Sequence, residues 1–485
     1  MSTSNNRSRV PGPKSRQLAQ RLRQVESRNV TFISEDFPVF WESARGSWVT
    51  DVDGNRFLDL TGAFAVASLG HNPPSLREAI EKQIKKLWHG MGDVHPNAVK
   101  VDLLEALKDL APGALSRSIL SSSGAEAVES ALKTARLATG RPGVIAFEGG
   151  YHGMSYGALT VTDRDDFKNP FSGQLGSWAV HSPYPDSLHG IAEDRCLESL
   201  DRFLKSSAGL EAPIGALLVE PMQGRGGVRI PKPFFLQGLR DIARRYDLML
   251  IADEIFTGLG RTGRMFGVDH SSVVPDLLCV GKALTNGFPL SACIGTPEAM
   301  NAWPASDGEA IHTSTFLGNP LGCAMALASL RDLRARRLAR RAAKAGDAWK
   351  RELQQALGGH PSVAEVRGIG LMIGIELVKD KPTLAPDSEL AGRVVTGCLQ
   401  KGLILLSGGI HRNVLTLTPP LTITEREMAG ATTILAEVLH SSPLPLRERV
   451  QGEGGQQPLG ISGLRTLTRP PKLPATDLSP NGRGV

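Results

Sequence analysis

The chain has 485 residues, of which 41% are hydrophobic and 21% are charged, and its formal net charge is +6. That length allows a large hydrophobic core, which we expect to be divided between two lobes. No apolar run reaches the roughly 18–20 residues of a membrane span, and the N-terminus lacks the apolar region of a secretory signal. We therefore expect a cytoplasmic enzyme with no membrane partner.

The cysteines give no sign of a disulfide scaffold or of a metal site. There are five of them, an odd number, and none has CxxC spacing: Cys196, Cys279, Cys293, Cys323 and Cys398. Such a set suits a reducing compartment, and we predict no bound metal.

Both ends of the chain differ in composition from the rest. Residues 1–28 contain seven Lys or Arg and one acidic residue, Glu26. Basic arms of this kind occur in nucleic-acid-binding proteins and in transit peptides, but we favour a flexible, solvated arm and expect no nucleic acid partner. Residues 441–485 are rich in Pro, Gly and Arg without an apolar period, and we predict that they are disordered.

The first regular structure is predicted after residue 47. Apolar and polar residues alternate over Trp48–Leu60 around Asp53-Gly54, which predicts a β-hairpin. The segment LGHNPPSLREAIEKQIKKL then predicts a helix that begins behind two prolines. Its apolar side chains at helical spacing are Leu76, Ile80, Ile84 and Leu87.

From about Ser118, short apolar strands alternate with Gly-rich turns and amphipathic helices. The strand segments are SRSILS, GVIAF, GALLVEP, LMLIADE and DLLCVGK. This alternation predicts a parallel sheet covered on both faces, with ligands bound beyond the carboxyl ends of its strands. After about Leu330, an Arg/Ala-rich helix and the strands VRGIGLMIGIELV and NVLTLTPPLTIT predict a second, smaller α+β lobe.

Several groups with complementary chemistry follow these strands. SSSGAEAVES places small residues at a helix start, where free N–H groups attract an anion, although Ser121–Ser123 would equally serve as a cap. Asp253 ends the apolar run Leu248–Ala252, and a buried carboxylate needs a cationic or donor partner. Lys282 follows another strand, where partial desolvation suits an amine to Schiff-base chemistry. With the aromatic Tyr151, these groups indicate pyridoxal phosphate, whose pyridine nitrogen an aspartate keeps protonated.

Six motifs carry a family resemblance. They are SSGAEAVESALKTAR, FEGGYHG, VEPMQGRGG, ADEIFTGLGRTGRMF, PDLLCVGKALTNGFPLSA and HTSTFLGNPLGCAMA. In this order they resemble the class III pyridoxal-phosphate aminotransferases, such as the 4-aminobutyrate, ornithine and acetylornithine enzymes, from about Phe40 to about Leu439. The resemblance implies transfer of an amino group between an amino acid or ω-amino acid and a 2-keto acid by a ping-pong aldimine mechanism.

The same resemblance implies the fold and the assembly. It implies an α/β protein of fold type I, with a mostly parallel central sheet in the large domain and a smaller α+β domain, in a homodimer with active sites at the subunit interface. We expect the small domain to comprise residues 29–70 and 330–440 and the large, cofactor-binding domain to comprise residues 71–329.

Residue roles follow from the matched motifs. Lys282 would form the internal aldimine and later move a proton between Cα and C4′, and Asp253 would pair with the pyridinium nitrogen. Tyr151 would stack on one face of the ring and Ile255 would pack on the other. The phosphate would be held by backbone N–H groups of Gly124 and Ala125 and, from the neighbouring subunit, by Thr315. Glu220 and Gln223 resemble residues that support the site without touching the cofactor.

Substrate-tuning positions depart from the family. Relatives carry the motif EPxQGEGG or EPxQSEGG, and the glutamate residue after its Gly or Ser pairs with an arginine near the C-terminus. That arginine binds the α-carboxylate of the substrate glutamate. Here the glutamate residue of the motif is replaced by Arg225 and the arginine by Thr416. The arginine of the acetylornithine enzymes' FHGRT motif is Met154 here, and the glutamine that usually follows DEV or DEI in relatives is Phe256. Because both the glutamate and the arginine of that ion pair are absent, neither is left as an unpaired buried charge. We hypothesise that Arg225 binds a substrate carboxylate instead, the alternative being a solvated arginine in a Gly-rich loop.

Other functions remain open at this point. Amino-acid and lactam racemases of the same fold also lack the glutamate-binding arginine, and their C-terminal segment resembles the pattern NVLxxTPPLTIT. The lactam racemase carries an acid at the position of Arg225, which weighs against this alternative. A non-catalytic cofactor-binding scaffold, or a nucleic-acid-binding protein, fits poorly with the joint presence of Lys282, Asp253 and the phosphate motif.

Overall fold

The computed structural model describes residues 10–207, 209 and 211–442. A helix, α1 (Pro13–Val25), occupies part of the segment 1–28 that we predict as a flexible arm. The amide groups of Lys14 and Ser15 donate hydrogen bonds to the Asp53 carboxylate, at 2.8 and 2.9 Å, and these bonds fix the helix start to the hairpin that follows. The prediction of a flexible arm is therefore wrong for residues 13–25. Residues 1–9 lie outside the described part.

An antiparallel unit follows α1. Its strands are β1 (Trp41–Arg45), β2 (Trp48–Asp51) and β3 (Arg56–Asp59). The pairing of β2 with β3 confirms the predicted hairpin. The next helices are α2 (Gly62–Ala65), α3 (Pro74–Ile84) and α4 (Ala98–Leu110). Because α3 ends at Ile84, the predicted fourth apolar position, Leu87, lies beyond the helix and is exposed.

The short segment α2 is a left-handed turn. Ala63, Phe64 and Ala65 have φ angles of 51°, 61° and 64°, a conformation that costs roughly 1–2 kcal/mol per residue for L-amino acids. The buried Asp59 carboxylate compensates, because it accepts hydrogen bonds from the amides of Thr61 (2.8 Å) and Ala63 (3.1 Å). The turn leaves the Phe64 ring exposed.

A seven-stranded sheet forms the centre of the molecule. Its strands are β4 (Arg117–Ser121), β5 (Gly143–Phe147), β6 (Ala179–Ser182), β7 (Ile214–Val219), β8 (Met249–Asp253), β9 (Leu277–Val280) and β10 (Ser291–Gly295). They are ordered β4-β10-β9-β8-β7-β5-β6, and β10 runs in the opposite direction to the other six strands. The predicted mostly parallel sheet of an α/β fold is confirmed, although β6 and β10 were not anticipated.

Helices cover both faces of this sheet. They are α5 (Gly124–Thr139), α6 (Tyr156–Val161), α7 (Asp165–Lys168), α8 (Glu193–Ser206), α9 (Pro233–Arg245), α10 (Pro297–Met300) and α11 (Pro320–Ala335). One buried cluster contains Val128 and Ala131 of α5, and another contains Leu200 of α8 and Leu239 of α9. Among the helices described, none combines the length and the apolar character needed to cross a membrane.

The remaining elements lie after residue 337. They are α12 (Leu338–Leu357), β11 (Val363–Ile369), β12 (Met372–Leu377), α13 (Ser388–Gln400), β13 (Leu403–Ile404), β14 (Leu406–Gly408), β15 (Val414–Leu417) and α14 (Glu425–Ser441). Strand β13 pairs in parallel with β3, which supports our proposal that 29–70 and 330–440 form one small domain. Apart from Ser441 and Ser442, the tail predicted as disordered lies outside the described residues.

Strands β11, β12, β15 and β14 form a four-stranded sheet in that order, and Glu376 of β12 connects this sheet to the rest of the molecule. Its carboxylate accepts a hydrogen bond from His189 at 2.8 Å and pairs with Arg367 at 2.6 Å. Burial alone would raise the pKa of Glu376, but the hydrogen bond from His189 and the charge of Arg367 outweigh it and lower the pKa to about 2. A carboxyl group whose pKa is lowered by folding stabilises the folded state above its unfolded pKa.

We therefore expect Glu376→Gln to lower the free energy of unfolding by about 2–3 kcal/mol at pH 7. Because protonation removes the contribution as the pH falls from the unfolded pKa toward the folded one, the difference should be roughly halved by about pH 3. Urea unfolding at the two pH values measures both effects. Glu365, which also pairs with Arg367 but is more exposed, is the control, and Glu365→Gln should cost under about 1 kcal/mol. Equal losses in the two variants would contradict the special role of Glu376.

Candidate active site

A cavity of about 350 Å³ lies at the carboxyl ends of the parallel strands. Its walls include groups that follow β5, β7, β8 and β9, as expected for a ligand site in such a sheet. The residues that line it are Ser123, Gly124, Ala125, Tyr151, His152, Gly153, Met154, Glu220, Arg225, Asp253, Ile255, Phe256 and Lys282. The structure thus brings together every residue that the sequence predicts to contact cofactor or substrate except Thr315, which is exposed outside this cavity. Of the two predicted supporting residues, Glu220 lines the cavity and Gln223 does not.

Asp253 is the last residue of β8 and is only 3% exposed. One carboxylate oxygen accepts the amide hydrogen of Ile255 at 3.1 Å, and the other lies 2.8 Å from Nδ1 of His152. His152 is equally buried and was missed by the sequence analysis. Its position next to Tyr151 in the chain could have indicated that His152 belongs to the site, but the sequence does not show that its imidazole contacts Asp253.

Lys282 begins a single 3-10 turn, Lys282–Leu284, just past β9. Its φ angle of 38° is unfavourable for a residue with a side chain, and such strain is concentrated at functional sites. Burial lowers the pKa of the Lys282 amine, while the charges of Asp253 and Glu220 oppose that shift. Nζ also lies 5.0 Å from the centroid of the Phe256 ring. An amine in this environment loses its proton more readily than a solvated lysine does, which favours nucleophilic and proton-transfer chemistry.

The start of the long helix α5 forms another wall of the cavity. Ser123 caps it by accepting the amide hydrogen of Glu126 at 3.3 Å, and Gly124 is the first helical residue. Amides in the first turn have no partner within the helix, so this end can bind an anion. A Cβ atom at Gly124 would lie 3.0 Å from Cδ1 of Ile255, so the glycine allows these two walls to approach closely.

The buried Glu220 carboxylate joins two loops of the cavity. It accepts hydrogen bonds from the amides of Tyr151 (2.9 Å) and Gly224 (3.0 Å), which fixes the loops that carry Tyr151 and Arg225. The Arg225 guanidinium lies over the Tyr151 ring, 4.5 Å from its centroid. Burial raises the pKa of Glu220, and the two amide hydrogen bonds stabilise its charged form.

The departures from the family motifs have visible local consequences. Phe256 packs against Gly224, where an added Cβ would lie only 2.8 Å from the ring. Met154 lines the cavity and presents no charge to it. Thr416 lies on β15 outside the cavity lining, and its hydroxyl is 3.5 Å from the carbonyl oxygen of Val414. In the part of the chain that is described, Arg225 is therefore the guanidinium group on the cavity wall.

The donor set fits pyridoxal phosphate. One cavity is lined by a helix start that can bind the phosphate and by a buried carboxylate that can pair with the pyridine nitrogen. It also contains an aromatic ring that can pack on the cofactor ring, and a lysine amine that can react with the cofactor's carbonyl carbon.

Comparison with known proteins agrees with this chemistry. A family profile described as aminotransferase class-III matches residues 32–439. The chain is 38% identical to the 4-aminobutyrate aminotransferase GabT of Escherichia coli over 427 residues, which is 87% of this chain and 97% of that enzyme. It is 36% identical to the 5-aminovalerate aminotransferase DavT of Pseudomonas aeruginosa over 407 residues, 84% of this chain and 94% of the relative.

Solved structures show the same likeness. A Bacillus anthracis aminotransferase has a TM-score of 0.82 and 29% identity, and the match covers 88% of this chain and 98% of that one. A PLP-bound amine transaminase from an uncultivated Pseudomonas species has a TM-score of 0.79 and 31% identity, and the match covers 86% and 98% of the two chains.

Proposed function

This chain belongs to the class-III aminotransferase family, and from that premise we propose the residues that perform its pyridoxal-phosphate-dependent transamination. The observation that carries the proposal is the presence of Lys282, Asp253 and the start of α5 around a single cavity. The proteins compared above are transaminases, and they give the racemase alternative no support.

Each side chain has a role that its position supports. Gly124 and Ala125 would hold the cofactor's phosphate through their amides, and Asp253, held by His152, would face the pyridine nitrogen. Tyr151 and Ile255 would pack on opposite faces of the ring. When bound, the cofactor supplies an electron sink that makes a C–H bond beside the amino group acidic.

The lysine amine performs the proton transfer. Nζ of Lys282 would hold the cofactor covalently when no substrate is bound. Once the amino substrate has displaced it, the free amine would remove a proton from the substrate carbon and later give a proton back. Its lowered pKa favours the neutral amine that accepts this proton. The aromatic and apolar walls formed by Tyr151, Phe256 and Met154 would limit the access of water to the reacting carbon.

We also propose that two copies associate and that Thr315 reaches the cofactor phosphate in the partner's site. The exposed position of Thr315, and the exposed apolar side chains of Ile311 and Phe316 on either side of it, support this arrangement. An apolar surface of this kind is typical of a region that another chain covers.

For the substrate, we propose an ω-amino acid as donor, a 2-oxo acid as acceptor, and Arg225 as the group that binds a substrate carboxylate. The two curated relatives act on ω-amino acids by name. The arginine of the acetylornithine enzymes' FHGRT motif and the C-terminal arginine that binds the α-carboxylate of glutamate are replaced here by Met154 and Thr416, so we infer that the charge comes from another residue. Arg225 lines the cavity and carries its positive charge over the Tyr151 ring.

The test is an assay of the wild-type holoenzyme and of Arg225→Ala with 4-aminobutyrate, 5-aminovalerate and simple amines as donors and pyruvate or 2-oxoglutarate as acceptors. We expect amino transfer from at least one ω-amino acid. Arg225→Ala should raise KM for carboxylate-bearing substrates about tenfold or more, because a charge-assisted hydrogen bond contributes about 1.5–3 kcal/mol.

Donors without a carboxylate are the internal control, since the variant should use them as well as the wild-type enzyme does. Unchanged KM values for the carboxylates would show that Arg225 does not bind them. Interconversion of amino-acid enantiomers without any 2-oxo acid would instead favour a racemase.

A further inference from the structure

Arg225 is part of a larger group of charges beside the cavity, which we call the arginine cluster: Arg164, Asp166, Arg225 and Arg412. Nε of Arg164 lies 3.6 Å from one Asp166 oxygen, and a terminal nitrogen of Arg412 lies 2.8 Å from the other. Arg164 also donates a hydrogen bond to the carbonyl oxygen of Arg225 at 3.4 Å. The three arginines come from three separate segments of the chain, and these segments meet only in the folded protein.

Positive charge is in excess in this cluster. Arg164 and Arg412 both pair with the Asp166 carboxylate, and Arg225 forms no ion pair with any carboxylate in the described residues. The cluster therefore contains three guanidinium groups and one carboxylate. Asp163 and Asp165, on either side of Arg164 in the chain, form no ion pair with these three arginines in the described residues. The cluster therefore has a net charge of about two positive units, and its member Arg225 lines the cavity.

The excess charge is held in place by the surrounding structure. The Arg164 side chain is only 7% exposed, and burial lowers its pKa. The Arg225 guanidinium packs against the rings of Tyr151 and Phe167, 4.5 and 5.5 Å from their centroids. Its carbonyl oxygen accepts the amide hydrogen of Gly409, at the hairpin that also carries Arg412. Partly buried like charges repel one another, and an arriving anion relieves that cost.

We propose that the arginine cluster selects doubly charged acids, so that the enzyme prefers dicarboxylic 2-oxo acids to monocarboxylic ones, with Asp166 limiting the strength of the preference. This inference rests on the proposed contact between Arg225 and a substrate carboxylate. Arg225 binds one carboxylate, and the field of Arg164 and Arg412 adds attraction that grows with the second negative charge.

The test uses two neighbouring variants with opposite expected effects. The measured quantity is the ratio of kcat/KM for 2-oxoglutarate to kcat/KM for pyruvate with a common donor. Arg412→Gln should lower this ratio about fivefold, and Asp166→Asn should raise it by a similar factor, as for one unit charge acting across several ångströms of solvated protein. A merely structural disturbance of this segment would change the ratio in the same direction in both variants.

A binding measurement and a control complete the test. Calorimetric titration of the holoenzyme with glutarate and butyrate should show the same opposite changes in their relative affinities. Arg244→Gln removes an exposed arginine from α9 and should leave the ratio unchanged. If both cluster variants keep amino transfer to pyruvate but also keep the wild-type ratio, the selection by charge is refuted while the catalytic assignments stand. If Lys282→Ala transaminates normally, the catalytic assignments themselves fail.

Discussion

Lys282→Ala is expected to lower amino transfer by at least about 10⁴-fold, because one side chain would supply both the covalent attachment of the cofactor and the proton transfer. Single-turnover mixing with an amino donor isolates the chemical step from product release. The purified variant should also lack the visible absorbance of a lysine-bound cofactor, which gives a readout independent of turnover. Cofactor added in excess should still bind through the start of α5 and the Asp253 side of the cavity.

Lys168 provides a matched control for this result. It is another buried lysine, burial likewise lowers its pKa, and its Nζ donates a hydrogen bond to the carbonyl oxygen of Thr160. It is not among the residues that line the cavity. Lys168→Ala should therefore lose stability rather than chemistry, keeping the visible absorbance and kcat per folded molecule. If Lys282→Ala retained the absorbance while Lys168→Ala lost it, the attachment point would be misassigned.

The sequence predicts that Tyr151, Asp253 and Lys282 lie around one cavity because each of them follows a strand of a parallel sheet. Tyr151, Asp253 and Lys282 are far apart in the chain, yet their strands end at the same edge, so strand periodicity and motif order are enough to bring them together. The same reasoning does not reach the arginine cluster. Arg164 and Arg412 follow no predicted strand, and only the docking of the β14–β15 hairpin on the Arg225 loop makes them neighbours.

Local sequence was misleading where tertiary contacts override intrinsic preference. The segment GAFA carries no signal for a left-handed turn, and its conformation depends on hydrogen bonds to Asp59. The first residues of α1 look like a solvated basic arm, yet their free amides find the Asp53 carboxylate 38 or 39 residues away. In both cases a carboxylate satisfies backbone donors, and such a partner is not visible from the pattern of the segment itself.

Asp253→Asn is expected to lower kcat about 10³-fold while leaving the cofactor bound. The amide keeps the shape of the carboxylate but loses its charge, and a pair of unit charges about 4 Å apart in a partly shielded site is worth about 4 kcal/mol. Because the charge would matter for the chemical step, KM should change little. Rapid-mixing kinetics together with a spectroscopic count of bound cofactor measure the two effects separately. A variant that loses the cofactor but, when saturated with it, reacts at the wild-type rate would show that Asp253 only retains the cofactor.

A variant of His152 tests whether Asp253 acts alone or together with His152. Its Nδ1 lies 2.8 Å from the Asp253 carboxylate, with both side chains buried, so we expect it to orient that carboxylate rather than to touch the substrate. As a positioning residue it should matter less: His152→Gln is expected to lower kcat about tenfold, in line with the loss of one hydrogen bond to a charged group. In the Asp253→Asn background the same exchange should cost almost nothing, because the charge that His152 orients is already gone. Two additive losses would instead mean that His152 contributes through a separate route, and the interpretation of the pair as one unit would be wrong.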